Sequence, residues 1–95
     1  MSPIRILIVD DHTLVRRGLI ALLGDRQDIE IIGEAADGFE AIRNAGELQP
    51  DVILMDLGMP RLGGVEAIEL IKEDNPACKF LVVTNYYDDD FVLSA

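Results

Sequence analysis

The chain has 95 residues, 49% of them hydrophobic, so it can form at most one domain (residues 1–95) with an apolar core. Its formal net charge of −10 at pH 7 argues against direct nucleic-acid binding, which requires a basic face. The single cysteine, Cys78, cannot form an internal disulfide, which fits a reducing compartment. No apolar stretch reaches the length of a membrane span and the first residues lack a signal-peptide layout. We therefore expect a cytoplasmic protein without membrane association.

The first third of the chain predicts two strands with a helix between them. The apolar run at residues 6–9 is short and bounded by polar residues, which is typical of a buried parallel strand and predicts one at residues 5–9. A helix is expected at residues 13–23, with Arg16 and Arg17 on its outer side. Residues 30–33 predict a short second strand near a sheet edge. The inward face of the helix is expected to carry Val15, Gly18, Leu19, Leu22 and Leu23.

The rest of the chain continues this alternation of strands and helices. The expected elements are a helix at residues 39–48, a strand ending at Asp56, a loop rich in glycine at 57–64, a helix at 65–74, a strand at 79–84, and a helix beginning near 91 after the acidic residues 88–90. The inward residues are expected to be Ala41, Ile42, Ala45 and Leu48 on the second helix and Val65, Ile68 and Ile71 on the third. This order predicts an α/β fold with a parallel sheet and right-handed crossovers.

Polar residues follow three of the predicted strands at the point where each strand ends. They are Asp10 and Asp11, then Asp56, then Thr84. An Asp in this position is often only the cap of the next helix, but a single cap does not explain a doubled Asp. Ligand sites of parallel α/β sheets lie at the carboxyl ends of the strands, so we expect these groups to converge there. Carboxylates placed together repel one another, and their hard oxygen ligands favour Mg²⁺ as the compensating cation.

The motifs around these residues resemble the receiver domain of two-component response regulators. They are IVDDH at residues 8–12, MDLGMP at 55–60, the paired glycines at 63–64, and VVT at 82–84. Residues such as 17–19 resemble the NarL/FixJ-type subgroup with a LuxR-like output, whose members usually carry a C-terminal helix-turn-helix DNA-binding domain. The resemblance implies a flavodoxin-like (CheY-like) doubly wound parallel sheet with strand order 2-1-3-4, and a fifth strand and helix missing from this chain.

The resemblance also implies a role for each strand-end residue. Asp56 would accept a phosphoryl group from a sensor histidine kinase, and Thr84 would hydrogen-bond that group as a switch hydroxyl. Asp10, Asp11 and Asp56 would bind Mg²⁺ together with the backbone carbonyl of Gly58, Asp11 directly and Asp10 mainly through water. The chain would be a signalling switch rather than an enzyme, and it would act on DNA only through an output domain that it does not contain.

Two other functions stay open. A Mg²⁺-dependent phosphohydrolase with an aspartyl nucleophile would use similar carboxylates, although the dehalogenase-like hydrolases need a second Asp where this chain has Gly58. A receiver-like interaction module that is never phosphorylated is the other, because the family's fifth strand ends in a lysine that pairs with the phosphoryl group and this sequence stops at Ala95. His12 is interpreted as a residue of the pocket rim rather than as a phosphohistidine donor.

The implied truncation has a structural consequence. Without a fifth strand, strand four would be an exposed edge with a continuous apolar run at residues 80–83. Exposed apolar edges recruit other strands, so we expect the chain to self-associate as a homodimer or a higher oligomer.

Overall fold

The computed structural model describes residues 2–59 and 62–83. The strands and helices alternate as expected, with the bounds β1 (Ile4–Val9), α1 (Thr13–Leu23), β2 (Ile29–Ala35), α2 (Gly38–Leu48), β3 (Val52–Met55), α3 (Gly64–Asp74) and β4 (Lys79–Val82). Thr84, the segment 85–87 and the helix expected near residue 91 lie outside the described residues. In the part that is described, no helix has both the length and the apolar character needed to cross a bilayer.

The strands form one sheet in the order β2-β1-β3-β4, and all three pairings are parallel. This confirms the predicted doubly wound topology, with β2 at an edge. β2 is longer than predicted at both ends, because Glu34 and Ala35 continue the ladder opposite Ile8 and Val9 after an irregularity at Ile6/Leu7. Glycine and glutamate are poor strand formers, which is why the sequence pattern ended this strand too early.

The core lies on both faces of the sheet. One face of β1 and β3 packs against α2 and α3, where Leu7 and Ile53 are fully buried. The other face, which carries Ile8, packs against α1. Full burial of a leucine or isoleucine side chain stabilises the fold by about 1.5–3 kcal/mol each. The two central strands therefore fix the fold, and the residues that follow them are held by the best-packed part of the molecule.

The predicted inward face of α1 is partly wrong. The helix packs through Leu19, Ile20 and Leu23, whereas Leu22 is 76% exposed and Gly18 is also exposed. Apolar residues occur on several sides of this helix, so helical spacing alone could not select the face that meets the sheet.

The packing of the other two helices follows the predicted spacing more closely. On α2, Ala41 and Ala45 are buried as expected. On α3, Ile71 is buried as expected, but Val65 is 53% exposed and the buried residue of the first turn is Ala67. Residues three and four apart share a helix face, so a face that starts at Gly64 passes through Ala67 and Ile71 and leaves Val65 outside.

Candidate functional site

Asp10 follows β1 and is held on both its backbone and its side chain. Its N–H donates to the carbonyl of Ala35 at 3.0 Å, which extends the pairing of β1 with β2. Its carboxylate is 3% exposed and accepts a hydrogen bond from the backbone N–H of His12 at 2.7 Å, and His12 Nδ1 lies 3.0 Å from the same oxygen. The chain therefore turns from β1 into α1 around this carboxylate.

Asp56 occupies the corresponding place after β3. It is only 1% exposed, and its N–H donates to the carbonyl of Val9 at 3.0 Å, which ties it to the end of β1. One carboxylate oxygen, Oδ1, accepts the N–H of Gly58 at 2.9 Å. This short turn fixes the side chain at the edge of the sheet.

The structure brings together the acidic residues that the sequence singled out. Ligand atoms of Asp10, Asp11, His12 and Asp56 all lie within 4.8 Å of one another. His12, expected only at the rim, belongs to this cluster because its Nδ1 is 3.0 Å from Asp10 and 3.1 Å from Asp11. We call these four residues the acidic cluster.

The acidic cluster raises the pKa values of two of its members, Asp56 and His12. Burial raises the pKa of Asp56 above its usual range, and the negative charges of Asp10 and Asp11 raise it further, against the lowering effect of the Gly58 N–H. The hydrogen bond from His12 to Asp10 raises the pKa of the imidazole, and the charge of Asp11 adds to this. Each shift reduces the net negative charge of the cluster, so the cluster favours an added cation.

Two carboxylate oxygens of the cluster are available as ligands. Among the described residues, Asp11 Oδ1 and Asp56 Oδ2 are buried and have no hydrogen-bond partner, although His12 Nδ1 is near the first. Buried polar atoms without a partner are uncommon and call for an explanation such as a bound ion. Hard oxygen ligands fit Mg²⁺, which keeps several waters and needs only a few carboxylates from the protein. The donor set therefore fits the expected metal.

The remaining predicted site residues are Gly58 and Thr84. The N–H of Gly58 is used by Asp56, and the role of its carbonyl as a metal ligand stays a prediction. Thr84 lies outside the described residues, so its place relative to Asp56 also stays a prediction.

Gly64, which begins α3, was missed as a site residue. A Cβ atom at this position would lie 2.8 Å from the carbonyl oxygen of Asp56 and 2.8 Å from the Cα of Leu57. The helix can approach the backbone of Asp56 this closely only because the residue has no side chain. The paired glycines of the sequence were the available signal, although nothing in them indicated which one makes the contact.

Arg16 was also missed, because the sequence placed it on the outer side of α1. That prediction is wrong: its side chain is only 15% exposed and donates to Glu34 on β2 and to the carbonyl of Asp10, which follows β1. The available signal was its position one helical turn after His12, which directs its side chain back toward the start of the helix.

A parallel sheet of this order, with the buried carboxylate of Asp56 after β3 and the acidic pair Asp10 and Asp11 after β1, defines a doubly wound α/β domain with an acidic site at the carboxyl ends of its strands. A family model described as the response regulator receiver domain matches residues 6–95. The chain belongs to this family, and it is a receiver domain of a two-component response regulator.

Curated relatives and solved structures agree with this assignment. The chain is 52% identical over 89 residues to the transcriptional regulatory protein LiaR of Bacillus subtilis, covering 94% of this chain and 42% of LiaR. It is 49% identical over 92 residues to the response regulator protein VraR of Staphylococcus aureus, covering 97% of this chain and 44% of VraR. The chain thus spans less than half the length of these relatives.

Two solved structures show the same fold. The response regulator domain of Thermotoga maritima CheB superposes with a TM-score of 0.85 at 35% identity, over 98% of this chain and 69% of that one. A two-component response regulator of the LuxR family from Aurantimonas sp. superposes with a TM-score of 0.83 at 39% identity, over 97% of this chain and 66% of that one. The relatives include regulators of the LuxR type, as the sequence motifs predicted.

Proposed function

We propose that Asp56 accepts a phosphoryl group from a phosphohistidine of a sensor histidine kinase. The observation that carries this proposal is the buried Asp56 Oδ2, which has no hydrogen-bond partner among residues 2–59 and 62–83 and lies beside two further carboxylates. Because Oδ1 is held by Gly58, the free oxygen is presented in one orientation. A fixed nucleophile lowers the entropic part of the barrier to transfer.

The transfer step is a substitution at phosphorus. An oxygen of the Asp56 carboxylate forms a bond to phosphorus while the phosphorus–nitrogen bond of the phosphohistidine breaks. The electron pair of the broken bond returns to the imidazole nitrogen of the kinase, and Asp56 becomes an acyl phosphate. Transfer requires the ionised carboxylate, whereas burial and the two acidic neighbours raise the pKa of Asp56. The site therefore gains from any cation that lowers this pKa again.

Asp10, Asp11 and Asp56 would hold Mg²⁺, with the carbonyl of Gly58 as a further ligand. Bound Mg²⁺ offsets the negative charge that accumulates on the transferring phosphoryl group. Asp11 is suited to direct coordination because its Oδ1 accepts no hydrogen bond from the described residues, although His12 Nδ1 lies 3.1 Å away. Asp10 is suited to coordination through water because its Oδ1 already accepts the backbone N–H of His12. The hydroxyl of Thr84 would hydrogen-bond the phosphoryl group and transmit its arrival to residues 85–87.

The biological output would be regulation of transcription. LiaR is named a transcriptional regulatory protein, and VraR a response regulator protein. Since both relatives are more than twice as long as the matched segment, DNA would be contacted by an output domain outside this chain. The net charge of −10 on this chain is consistent with DNA binding by a different domain.

A phosphohydrolase that turns over an aspartyl phosphate is the second candidate. It would need an acid or base next to the nucleophile, and the position two residues after Asp56 is Gly58, which offers only backbone groups. Among the described residues, His12 is the one side chain of the acidic cluster that is not a carboxylate, and it is already bonded to Asp10. The contacts of the cluster therefore favour an acceptor of one phosphoryl group over a hydrolase.

One experiment separates the candidates. The chain is incubated with Mg²⁺ and acetyl phosphate and its mass is followed, with Asp56→Asn as the test variant and Asp28→Asn, an exposed carboxylate paired with Arg26, as the control. A phosphoacceptor gains one hydroxylamine-labile phosphoryl group in the wild type and in Asp28→Asn but not in Asp56→Asn. A hydrolase instead releases inorganic phosphate over many turnovers without accumulating a phosphorylated chain, and an interaction module gives neither result, so either outcome would refute the proposal.

A further inference from the structure

The guanidinium of Arg16 joins three separate parts of the chain. Its Nε donates to the carboxylate of Glu34 on β2 at 3.0 Å, and its Nη1 donates to the backbone carbonyl of Asp10 at 2.6 Å. A longer contact of 3.4 Å reaches the hydroxyl of Thr13 in the same helix. Arg16 thus links the second strand to the residue that ends the first.

The contact with the Asp10 carbonyl acts on the peptide that joins Asp10 to Asp11. That oxygen belongs to the peptide unit between Asp10 and Asp11, and a peptide unit is planar. Holding the oxygen therefore fixes the plane that leads to Asp11 and limits where its carboxylate can point. The side chain of Asp10 is held by His12, whose Nδ1 also lies 3.1 Å from Asp11, whereas Arg16 acts on the peptide backbone between the two acidic residues.

The other end of this link is anchored as well. Glu34 lies on β2 opposite Ile8, and its own backbone carbonyl accepts a hydrogen bond from the side-chain amide of Asn44 on α2 at 2.9 Å. Because β2 and α2 hold the backbone of Glu34 in place, the carboxylate is a firm support for the guanidinium. Arginine presents donors on several nitrogens of one rigid plane, so Nε and Nη1 of Arg16 reach two separate acceptors, whereas a lysine has its donors on a single nitrogen.

We propose that Arg16 is a positioning residue of the phosphoacceptor site. It holds the Asp10–Asp11 peptide in the orientation that directs the Asp11 carboxylate toward Asp56. This inference rests on the proposed function, since it assigns to Arg16 a part in cation binding and phosphoryl transfer. It differs from a purely electrostatic role, in which the positive charge of Arg16 would only offset the nearby carboxylates.

The two roles predict opposite results for two substitutions. Arg16→Lys keeps the charge and loses the separate donor nitrogens, while Arg16→Gln loses both. Positioning predicts that both variants bind Mg²⁺ about tenfold more weakly, the lower end of the effect of removing a group that orients a metal ligand. An electrostatic role predicts that Arg16→Lys matches the wild type and that Arg16→Gln binds Mg²⁺ more tightly, because a competing positive charge is gone.

The matched control is Arg17→Gln, which removes the same charge from the next, exposed position of α1. Mg²⁺ affinity is measured by titration of the 95-residue chain, with thermal unfolding of each variant to show that it is folded. Glu34→Gln should weaken Mg²⁺ binding in the same direction as Arg16→Lys, since it removes the support for the guanidinium. Wild-type affinity in both Arg16→Lys and Glu34→Gln would overturn the inference.

A second measurement does not depend on the metal. The residual dipolar coupling of the Asp11 N–H, which reports the orientation of the Asp10–Asp11 peptide plane and is measured by NMR without Mg²⁺, should change in Arg16→Lys and stay unchanged in Arg17→Gln. An unchanged Asp11 coupling in Arg16→Lys would overturn the positioning role even if affinity falls. If the wild type takes up no phosphoryl group while the Asp11 amide responds as expected, the proposed function fails and the orienting contact stands.

Discussion

Gly64 offers the sharpest test of how the fold supports the site. In Gly64→Ala, the new Cβ would lie 2.8 Å from the carbonyl oxygen of Asp56, from the Cα of Leu57 and from a methyl group of Leu57. Two of these atoms belong to the backbone and cannot rotate away. Overpacking a buried position in this way costs about 1–3 kcal/mol. We expect Gly64→Ala to lower the free energy of unfolding by an amount in that range.

The same substitution at Gly18 provides a matched control. Gly18 lies in an exposed part of α1, and a Cβ there would meet nothing within 4 Å. Replacing a glycine inside a helix by alanine stabilises a protein by about 0.5–1 kcal/mol. The two variants should therefore differ by about 1.5–4 kcal/mol, and each 1 kcal/mol corresponds to about 4–8 °C in melting temperature for a domain of this size.

The assay is equilibrium unfolding in guanidinium chloride, with the rate of phosphorylation by acetyl phosphate measured under conditions where both variants are folded. Gly64→Ala displaces the backbone that carries the nucleophile, and small misplacements of reacting groups cost large factors in rate, about 100-fold for 1 Å. We expect slower phosphorylation in Gly64→Ala and a wild-type rate in Gly18→Ala. Equal stability of the two variants would refute the close approach of α3 to Asp56.

Three further outcomes are expected. Because the pKa of Asp56 is raised in the folded chain, mainly by burial and then by Asp10 and Asp11, ionisation of this group costs stability. Asp56→Asn should therefore be more stable than the wild type at neutral pH, with the advantage vanishing below about pH 4, the usual range of an Asp pKa, in denaturant titrations across pH. Thr84→Ala should retain Mg²⁺ affinity but lose the beryllofluoride-induced amide shifts of residues 85–87; identical shifts in both proteins would exclude the switch role. Leu81, which is 59% exposed on β4, should contribute to self-association, so Leu81→Lys should reduce the concentration-dependent mass seen by sedimentation, and a wild type that stays monomeric at high concentration would contradict this.

The order and type of the elements could be predicted from the sequence because each strand is a short apolar run between helical patterns. The strands that carry the site are the most buried, and their sequences show it directly in residues such as Ile8 and Ile53. The clustering of the acidic residues could also be predicted, because the carboxyl ends of parallel strands meet at one edge of a sheet. These inferences need only local pattern and the rules of sheet topology.

The wrong predictions concern side chains whose environment is set by residues distant in the sequence. Arg16 carries a charge and was placed toward solvent, whereas Glu34 and the Asp10 carbonyl supply partners that the pattern of apolar residues does not reveal. Val65 was placed in the core because it is apolar, but the face of α3 is set by the approach of Gly64 to Asp56. In each case a specific partner from a distant part of the chain overrides the hydrophobic periodicity.

The central claim is that the acidic cluster binds a divalent cation that makes Asp56 a phosphoacceptor. The measurement that tests it most directly is the Mg²⁺ dependence of phosphoryl incorporation at Asp56, mapped by hydroxylamine cleavage, in the wild type, in Asp11→Asn and in the control Asp28→Asn. Asp11 Oδ1 accepts no hydrogen bond from the described residues, whereas Asp28 is exposed and lies outside the acidic cluster. Asp11→Asn should need a much higher Mg²⁺ concentration for half-maximal incorporation, and Asp28→Asn should behave as the wild type. Incorporation at Asp56 that is independent of Mg²⁺, or equally sensitive to it in all three proteins, would contradict the claim.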